Sequence, residues 1–234
     1  GAGRLGCSLA LALKENNYNL TAVFSRNTTV KKTIRKFDSL IKLTSSPQEV
    51  VEFSDIIFIT SNDDNVSKLA NSLSLTSKKS LLHCSGSLSL DVLLGNNDTK
   101  IRVGSFHPMQ TFPNITSSKN FKNIFFCIDS TDDFLETWLE QLAGALRSQV
   151  IKIHSNDRDL YHAICILNCG LILSLIAHSS KLWAHIGIDS EIGLQATLPM
   201  LKTTLDSISK FGSLESITGP LIRGDTKTIK RHLQ

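Results

Sequence analysis

Short apolar runs alternate with helix-spaced apolar positions over the first two thirds of the chain. Runs with the length of buried strands occur at residues 20–24, 40–43, 55–60, 80–83, 101–106, 124–128 and 150–153. Between them, apolar residues recur at the spacing that is typical of amphipathic helices. Strands that alternate with helices predict an α/β fold with a doubly wound, mostly parallel sheet.

The pattern changes near residue 154, beyond which almost all of the periodicity is helical. Residues 161–182 are predicted to form a long and nearly apolar helix. A helix that is apolar on nearly all sides must be buried against another surface. The sequence therefore predicts an α/β domain over residues 1–153 and an all-α domain over residues 154–234, and we expect the helices of two chains to pair as a homodimer.

The first six residues read G-x-G-x-x-G and lead directly into an amphipathic helix. In a nucleotide-binding turn, Gly1 permits the tight bend, Gly3 lets a diphosphate approach the backbone, and Gly6 lets the helix pack closely on the sheet. The free amides at the start of the helix, which include those of Arg4 and Leu5, would hold the diphosphate. We expect the strand that precedes such a turn to lie outside this sequence. The opening residues therefore predict a dinucleotide-binding domain whose first strand is missing here.

The residues about 20 positions beyond Gly6 favour NADP over NAD as the cofactor. NAD-binding chains usually place a carboxylate there, against the ribose 2′-hydroxyl. This chain has Ser25, Arg26 and Asn27 instead. A carboxylate would repel a 2′-phosphate, whereas these side chains can donate to it, Arg26 through a charge-assisted fork. The alternative is an ordinary strand end with a solvated arginine.

Two further polar segments directly follow predicted strands. Ser61, Asn62 and Asp63 come after one strand, and Ser85 comes after the next. Ligands of open α/β sheets bind at the carboxyl ends of the strands, so we expect these four residues to line the dinucleotide. Asp63 or Asp64 is also predicted to be the N-cap of the following helix.

Several motifs along the chain resemble a known family. They are residues 1–6, the loop at Asp63, residues 83–86, residues 104–112, Tyr161 and His162 with Asn168, and residues 218–225. They resemble the family that joins a Rossmann-like domain to domain of unknown function 2520. That family is similar to pyrroline-5-carboxylate reductase, 6-phosphogluconate dehydrogenase and ketopantoate reductase. The resemblance implies an NADP-binding N-terminal domain and a helical C-terminal domain that pairs subunits.

The related dehydrogenases often carry a lysine four residues before an asparagine, on the first helix of the C-terminal domain. Here the residue four before Asn168 is Ile164, so that lysine is absent. His107 is the first substitute, because it follows a predicted strand directly, in a loop that Pro108 would stiffen. An imidazole with a pKa of about 6.5 can give a proton at neutral pH. The alternative is a histidine that is hydrogen-bonded to loop backbone.

Three residues of the helical part complete the predicted catalytic set. His162 lies near the start of the long helix and is the second substitute for the lysine. Asn168 lies on an apolar helix face, where its amide must be paired or face a cavity. Arg223 is expected to clamp a substrate carboxylate as a bidentate pair, with a salt bridge to Asp225 as the alternative.

Composition and charge exclude several other classes of function. The chain has 234 residues, of which 41% are hydrophobic and 20% charged, and its net charge of +4 is not concentrated in a basic block. A nucleic-acid-binding surface needs a stripe of cations, which the sequence does not show. No stretch approaches about 18 uninterrupted apolar residues, so no membrane span is predicted.

The five cysteines are odd in number and are interpreted as small buried side chains in a reducing cytoplasm. Cys165 and Cys169 share a helix face, but no His or Asp set completes a metal site with them. Two hypotheses from different classes remain. The first is an NADP-dependent oxidoreductase that reduces a small imine or carbonyl substrate in the cleft between the domains. The second is a non-catalytic NADP-binding module that senses redox state or organises a partner. A third, prephenate-type dehydrogenation, rests only on the pair His107 and Pro108.

Overall fold

The structure is a computed structural model, and it describes residues 2–95, 101–116, 118–220 and 222–233. The chain forms two compact units, Gly1–Cys165 and Ile166–Gln234. The boundary lies inside a helix rather than at 153/154, where the change of periodicity had placed it. The reason is that the start of this helix is buried in the first unit, where Arg158 and Tyr161 are 1% and 5% exposed.

The first unit alternates strands and helices. Its helices are α1 (Arg4–Glu15), α2 (Thr28–Phe37), α3 (Pro47–Phe53), α4 (Asp63–Asn71), α5 (Asp91–Leu94), α6 (Asp133–Ala145) and α7 (Arg158–Ile166), the last of which crosses into the second unit. Its strands are β1 (Ala22–Val23), β2 (Lys42–Leu43), β3 (Ile56–Ile59), β4 (Ser80–His83), β5 (Arg102–Pro108), β6 (Phe125–Ser130) and β7 (Gln149–Lys152). Every strand-like run named from the sequence overlaps one of these strands.

Local sequence signals fix where several helices begin. The Asn27 side chain accepts hydrogen bonds from the first amides of α2, and Ser46 caps α3, which has Pro47 in its first turn. Asp132 accepts from the Leu135 amide at the start of α6. Such caps satisfy amides that have no partner within the helix.

The described strands form two sheets. Five strands pair in the order β3-β4-β5-β6-β7, and all neighbours are parallel except β5 and β6. β1 and β2 form a separate parallel pair. The predicted α/β class with a mostly parallel sheet is therefore confirmed.

Helices cover both faces of the five-stranded sheet. On one face α1 and α6 pack against a cluster that includes Leu82, Phe106 and Phe126. On the other face α3, α4 and α5 pack against a cluster that includes Ile57 and Leu81. Because side chains alternate along a strand, His83, Ser105 and His107 belong to this second face. Two adjacent strands, β4 and β5, therefore carry polar side chains on this face near their carboxyl ends.

A cavity of about 360 Å³ lies between β1 and β3. Its lining includes Leu13 of α1, Phe53 of α3, Phe58 of β3 and Trp138 of α6. It separates the two sheets. Ala2 and Gly6 of the glycine-rich turn contribute to its lining, whereas His107 and Tyr161 do not.

The second unit is helical, as the periodicity predicts. It contains a π-helical turn (Leu167–Leu171), α8 (Ile172–His185), α9 (Ser190–Phe211) and α10 (Thr226–His232). α8 and α9 meet where Trp183 packs on Gly193, and the indole of Trp183 donates to Thr197 Oγ1 at 3.2 Å. Gly193 is the only buried residue among those described in this unit.

The helical stretch Ser155–His185 has 31 residues and a mean hydropathy of 2.0 in its most apolar window. By length and composition it is able to cross a membrane. The sequence expectation differed because it counted only uninterrupted apolar runs. The start of this stretch buries the charged side chain of Arg158 in the α/β unit, whereas only 6% of the apolar window is buried.

Candidate functional site

The glycine-rich turn is open at Gly3 and closely packed at Gly6. Gly1 lies outside the described residues, and the Ala2 amide donates to the Phe24 carbonyl at 3.0 Å. Gly3 occupies the N-cap of α1 without a side-chain cap, and the space where its Cβ would stand is open. A Cβ on Gly6, by contrast, would overlap the side chain of Thr60 at the end of β3. The open Gly3 and the close-packed Gly6 match the roles predicted for the second and third glycines.

The start of α1 also suits an anion electrostatically. Its first turn contains no acidic residue, so nothing opposes the partial positive charge of the free amides. Leu5 packs on the apolar core, while Arg4 is exposed and its Nη1 donates to the Pro113 carbonyl at 2.9 Å. Arg4 therefore links the glycine turn to the loop that follows β5.

The structure separates the roles of the three residues after β1. Ser25 is buried, and its hydroxyl donates to the Ala2 carbonyl at 2.8 Å. Asn27 uses its carbonyl oxygen to cap α2, accepting from the amides of Thr29 and Val30. Arg26 is exposed beside them. Ser25 thus holds the glycine turn, and Arg26 offers the exposed cation.

The loop after β3 differs from the expectation in one detail. Asn62, not Asp63 or Asp64, is the N-cap of α4, and its side chain makes no capping bond. The Asp63 carboxylate instead accepts from the hydroxyls of Ser85 at 2.9 Å and Ser87 at 2.8 Å. Asp63 and Ser85, which come from two neighbouring strand ends, are therefore brought together.

Ser61 and Ser85 differ in how their hydroxyls are satisfied. The Ser61 hydroxyl is buried and has no partner among the described residues. The Ser85 hydroxyl also accepts from the amides of Ser87 and Leu88 at 3.2 Å each. Ser85 is therefore a structural centre of the turn after β4, whereas Ser61 retains hydrogen-bonding capacity.

His83, the last residue of β4, is a site residue that the sequence interpretation missed. It is fully buried, and its Nδ1 accepts from the Ser85 amide at 3.2 Å. Burial, with a further contribution from the positive charge of Arg158, lowers the pKa of His83 to about 4. The resemblance included His83 in a motif. In an apolar strand, however, the sequence does not distinguish a histidine that belongs to a site from one that is packed in the hydrophobic core.

His107 lies inside β5 rather than in a loop after it. The strand continues because His107 pairs with Cys127 and Pro108 with Phe126 on β6. The His107 Nδ1 is 2.7 Å from the hydroxyl oxygen of Tyr161. Burial, then the nearby positive charge of Arg158, lowers the pKa of His107 to about 4. Burial therefore disfavours the imidazolium form of His107 in this state of the protein, and its catalytic role remains a prediction.

Arg158, the first residue of α7, is the largest fully buried side chain. One terminal nitrogen donates to the Ser105 hydroxyl. Its Nε and the other terminal nitrogen have no partner among the described residues. An incompletely paired buried cation is costly, and such groups cluster at functional sites. Its charge opposes protonation of both His83 and His107.

His162 and His107 meet over Gly86. A Cβ built on Gly86 would stand 3.0 Å from Cδ2 of His162, 2.9 Å from Cε1 of His107 and 3.0 Å from Nε2 of His107. Two residues predicted as catalytic are therefore brought together, and the glycine between β4 and α5 makes room for both rings.

Asn168 and Arg223 lie in the second unit. Asn168 is exposed in the π-helical turn, and Arg223 is exposed between α9 and α10. The Asp225 carboxylate accepts from the Thr228 amide at 3.1 Å and so caps α10. Leu221, within the same motif, lies outside the described residues. The catalytic roles of Asn168 and Arg223 remain predictions.

The five cysteines are unpaired and differ in burial. All five cysteines are free, and burial raises the pKa of Cys127 to about 11 and that of Cys84 to about 12. Within the described ranges, no three His, Cys, Asp or Glu side chains converge as a metal site does.

Comparisons with known proteins find matches in the N-terminal and the C-terminal part of the chain. Residues 1–85 match the family model described as NADP oxidoreductase coenzyme F420-dependent, and residues 124–234 match the model of the domain of unknown function DUF2520. These matches confirm the family resemblance found in the sequence. No curated protein sequence matches the chain.

Solved structures share the fold along the whole chain. A Bacteroides fragilis protein, provisionally named an NADP oxidoreductase, is 23% identical and has a TM-score of 0.78, over 100% of this chain and 87% of that one. The 1-pyrroline-5-carboxylate reductase of Streptococcus pyogenes is 14% identical with a TM-score of 0.70, over 100% and 90%. The pyrroline carboxylate reductase of Plasmodium falciparum, with NADP bound, is 16% identical with a TM-score of 0.66, over 99% and 90%. At these identities the similarity shows the fold alone.

Proposed function

Because the chain belongs to the proteins that join an NADP-oxidoreductase domain to a DUF2520 domain, we propose that it is an NADP-dependent reductase of a small imine or carbonyl compound. One observation carries the proposal. Asp63, Ser85 and His107 come from the carboxyl ends of three adjacent parallel strands, which is where ligands of open α/β sheets bind.

The proposed cofactor site begins at the glycine turn. The amides of Gly3, Arg4, Leu5 and Gly6 bind the diphosphate, and the open space at Gly3 accommodates its oxygens. Arg26 binds the 2′-phosphate, and the side-chain Nδ2 of Asn27 assists it, since the backbone amide of Asn27 already donates to the Ser25 hydroxyl. Ser25 acts indirectly, because its hydroxyl holds the turn in place. NADPH, when bound, supplies the hydride for the reduction.

The proposed substrate site lies at His107 and His162. His107 is neutral at neutral pH, so it donates a hydrogen bond to the substrate rather than a proton. Asp63 and Ser85 orient the turn after β4, which carries Gly86 beneath both rings. Asn62 and Ser61 are retained as residues that line the dinucleotide. Asn168 and Arg223 are retained as substrate residues on the strength of the sequence alone.

Calorimetric titration with NADPH and NADH tests the cofactor assignment. We expect NADPH to bind more tightly, and Arg26→Ala to weaken NADPH roughly tenfold while leaving NADH unchanged, since a charge-assisted pair to phosphate is lost. Arg35→Ala is the matched control, because Arg35 is an exposed cation of α2 away from the turn. Absence of affinity for both dinucleotides would overturn the proposal.

An assay of substrate turnover distinguishes the proposed reductase from a non-catalytic NADP-binding protein. NADPH oxidation against a panel of imines and 2-oxo acids should show activity that His107→Ala lowers. Tight NADPH binding without turnover, unaffected by His107→Ala, would instead support a redox sensor or scaffold. The absence of a lysine at Ile164 is the observation that favours this alternative.

We further propose that two chains pair through the helices of the second unit, in the cytoplasm. Support comes from the exposure of large apolar side chains on α8 and α9, and from five free cysteines. Sedimentation equilibrium should give a dimer, and a stable monomer at micromolar concentration would contradict the pairing.

A further inference from the structure

We propose that Tyr161 is a positioning residue that fixes the tautomer of His107, so that Nδ1 accepts from the tyrosine hydroxyl and Nε2 carries the proton. The inference rests on the proposed function for its catalytic meaning, but the tautomer itself is a property of the protein alone. Neither the family matches nor the solved structures assign a role to Tyr161.

The contact between the two side chains is short and well oriented. The hydroxyl oxygen of Tyr161 is 2.7 Å from His107 Nδ1, and the ring planes meet at 87° with centroids 5.6 Å apart. Tyr161 is 5% exposed, so water does not compete for this bond. β5 supplies the histidine and α7 supplies the tyrosine, which places the bond between two rigid elements.

The direction of the hydrogen bond follows from the neighbours of the hydroxyl. Besides His107, the Tyr161 hydroxyl contacts the thiols of Cys127 and Cys165. A thiol is a weak acceptor, whereas an unprotonated imidazole nitrogen is a good one. Burial raises the pKa of Tyr161, so the hydroxyl keeps its proton and donates it to Nδ1. A neutral imidazole carries one proton, which must then be on Nε2.

Gly86 lies beside the Nε2 edge of His107 and, because it has no side chain, leaves space next to that nitrogen. Any side chain at Gly86 would crowd that edge, since a Cβ would come within 3.0 Å of Nε2. The charged and titratable groups around the ring are Arg158, His162, Asp63 and His83. Together with burial, the positive charge of Arg158 keeps a second proton off the ring, so the Nε2–H remains a neutral donor.

This donor suits a restricted class of substrate atoms. A neutral Nε2–H donates to an atom with a free lone pair, such as a carbonyl oxygen or the nitrogen of an unprotonated imine. A protonated imine has no such lone pair. The ring would keep its proton in this role and stabilise the negative charge that develops on the acceptor as hydride arrives from bound NADPH, and water would supply the proton that completes the reduction.

His83 provides an internal reference. Its Nδ1 accepts from the Ser85 backbone amide, so it has the same tautomer for a reason that does not involve Tyr161. Its Nε2 is buried without a partner among the described residues. A change at Tyr161 should therefore alter the nitrogens of His107 and leave those of His83 unchanged.

The test is nitrogen-15 NMR of the whole protein with labelled histidine, at neutral pH and without cofactor. In the wild type we expect His107, assigned through His107→Gln, to show a protonated Nε2 and an unprotonated Nδ1. Tyr161→Phe should populate the Nδ1-protonated tautomer to tens of per cent. Tyr18→Phe is the matched control, because Tyr18 is the other of the two tyrosines, and it should change neither nitrogen.

A protonated Nδ1 in wild-type His107 would overturn the inference, and so would an unchanged His107 in folded Tyr161→Phe. The wild-type spectrum decides the tautomer even if Tyr161→Phe does not fold. With a substrate in hand, Tyr161→Phe should lower kcat about tenfold and leave the affinity for NADPH unchanged. If NMR shows the expected tautomer but calorimetry shows no binding of either dinucleotide, the proposed function fails and this inference stands. If a dinucleotide binds but NMR shows the opposite tautomer, this inference fails and the proposed function stands.

Discussion

The first unit buries its large apolar side chains in three clusters, whereas the described residues of the second unit leave most of theirs exposed. The strongly altered histidine pKa values, those of His83 and His107, also belong to the first unit. The difference teaches that the α/β unit forms a buried histidine site from its own residues. The helices of the second unit need a further surface before their apolar residues are buried.

The largest effect that we expect is a difference in the free energy of unfolding between two substitutions, one in each unit. Phe106 is fully buried and stacks on Phe126 at 3.9 Å, so Phe106→Ala should lower the free energy of unfolding by about 3–5 kcal/mol. Leu175 on α8 is 70% exposed, so Leu175→Ala should cost under about 0.5 kcal/mol in an isolated chain. Denaturant titration measures both. A cost for Leu175→Ala that is large and depends on protein concentration would break the comparison, because another copy would then cover α8.

The second effect is a dependence of stability on pH. Burial lowers the pKa of His83 to about 4, whereas unfolding restores a value near 6.5. The unfolded state therefore binds more protons between these values, so stability falls as pH drops through that window and is level above it. His83→Gln should remove up to about 3 kcal/mol of this loss. His178→Gln, at an exposed histidine of the second unit, should remove none of it. Equal pH profiles for both variants would contradict the burial of His83.

The smallest effects that we expect are those of two glycine substitutions in the first unit, one of which should affect stability and the other cofactor binding. Gly6→Ala should lower stability by about 1–3 kcal/mol, because its Cβ overlaps Thr60. Gly3→Ala should cost under about 1 kcal/mol, because its Cβ meets open space, yet it should weaken dinucleotide binding by obstructing the diphosphate. Thermal unfolding and calorimetry distinguish the two. Unchanged affinity in Gly3→Ala would place the diphosphate elsewhere.

Much of the fold could be predicted from the sequence, because its signals are local. The strand at 80–83 has the predicted bounds, and Pro47 after Ser46 marked the start of α3. Caps and apolar periods act within a few residues, which makes them readable without the fold.

The site could be predicted only in part, because its contacts join distant residues. Tyr161 and His107 are 54 positions apart, and neither carries a local signal of their bond. His107 was expected in a loop because the strand-like run ends at Phe106, but the antiparallel neighbour β6 extends the pairing through His107 and Pro108. The burial of Arg158 at the start of a helix has no sequence signature.

The separation of the two sheets has a consequence for how the parts of the first unit are held together. The Ala2 amide attaches the glycine turn to Phe24, directly after β1, whereas Ser85 and His107 belong to the five-stranded sheet. Among the described residues no backbone pairing joins the two sheets, so side-chain packing around Leu13 and Phe58 holds them at their distance. Substitutions that alter this packing would therefore shift the glycine turn relative to the histidines without touching either.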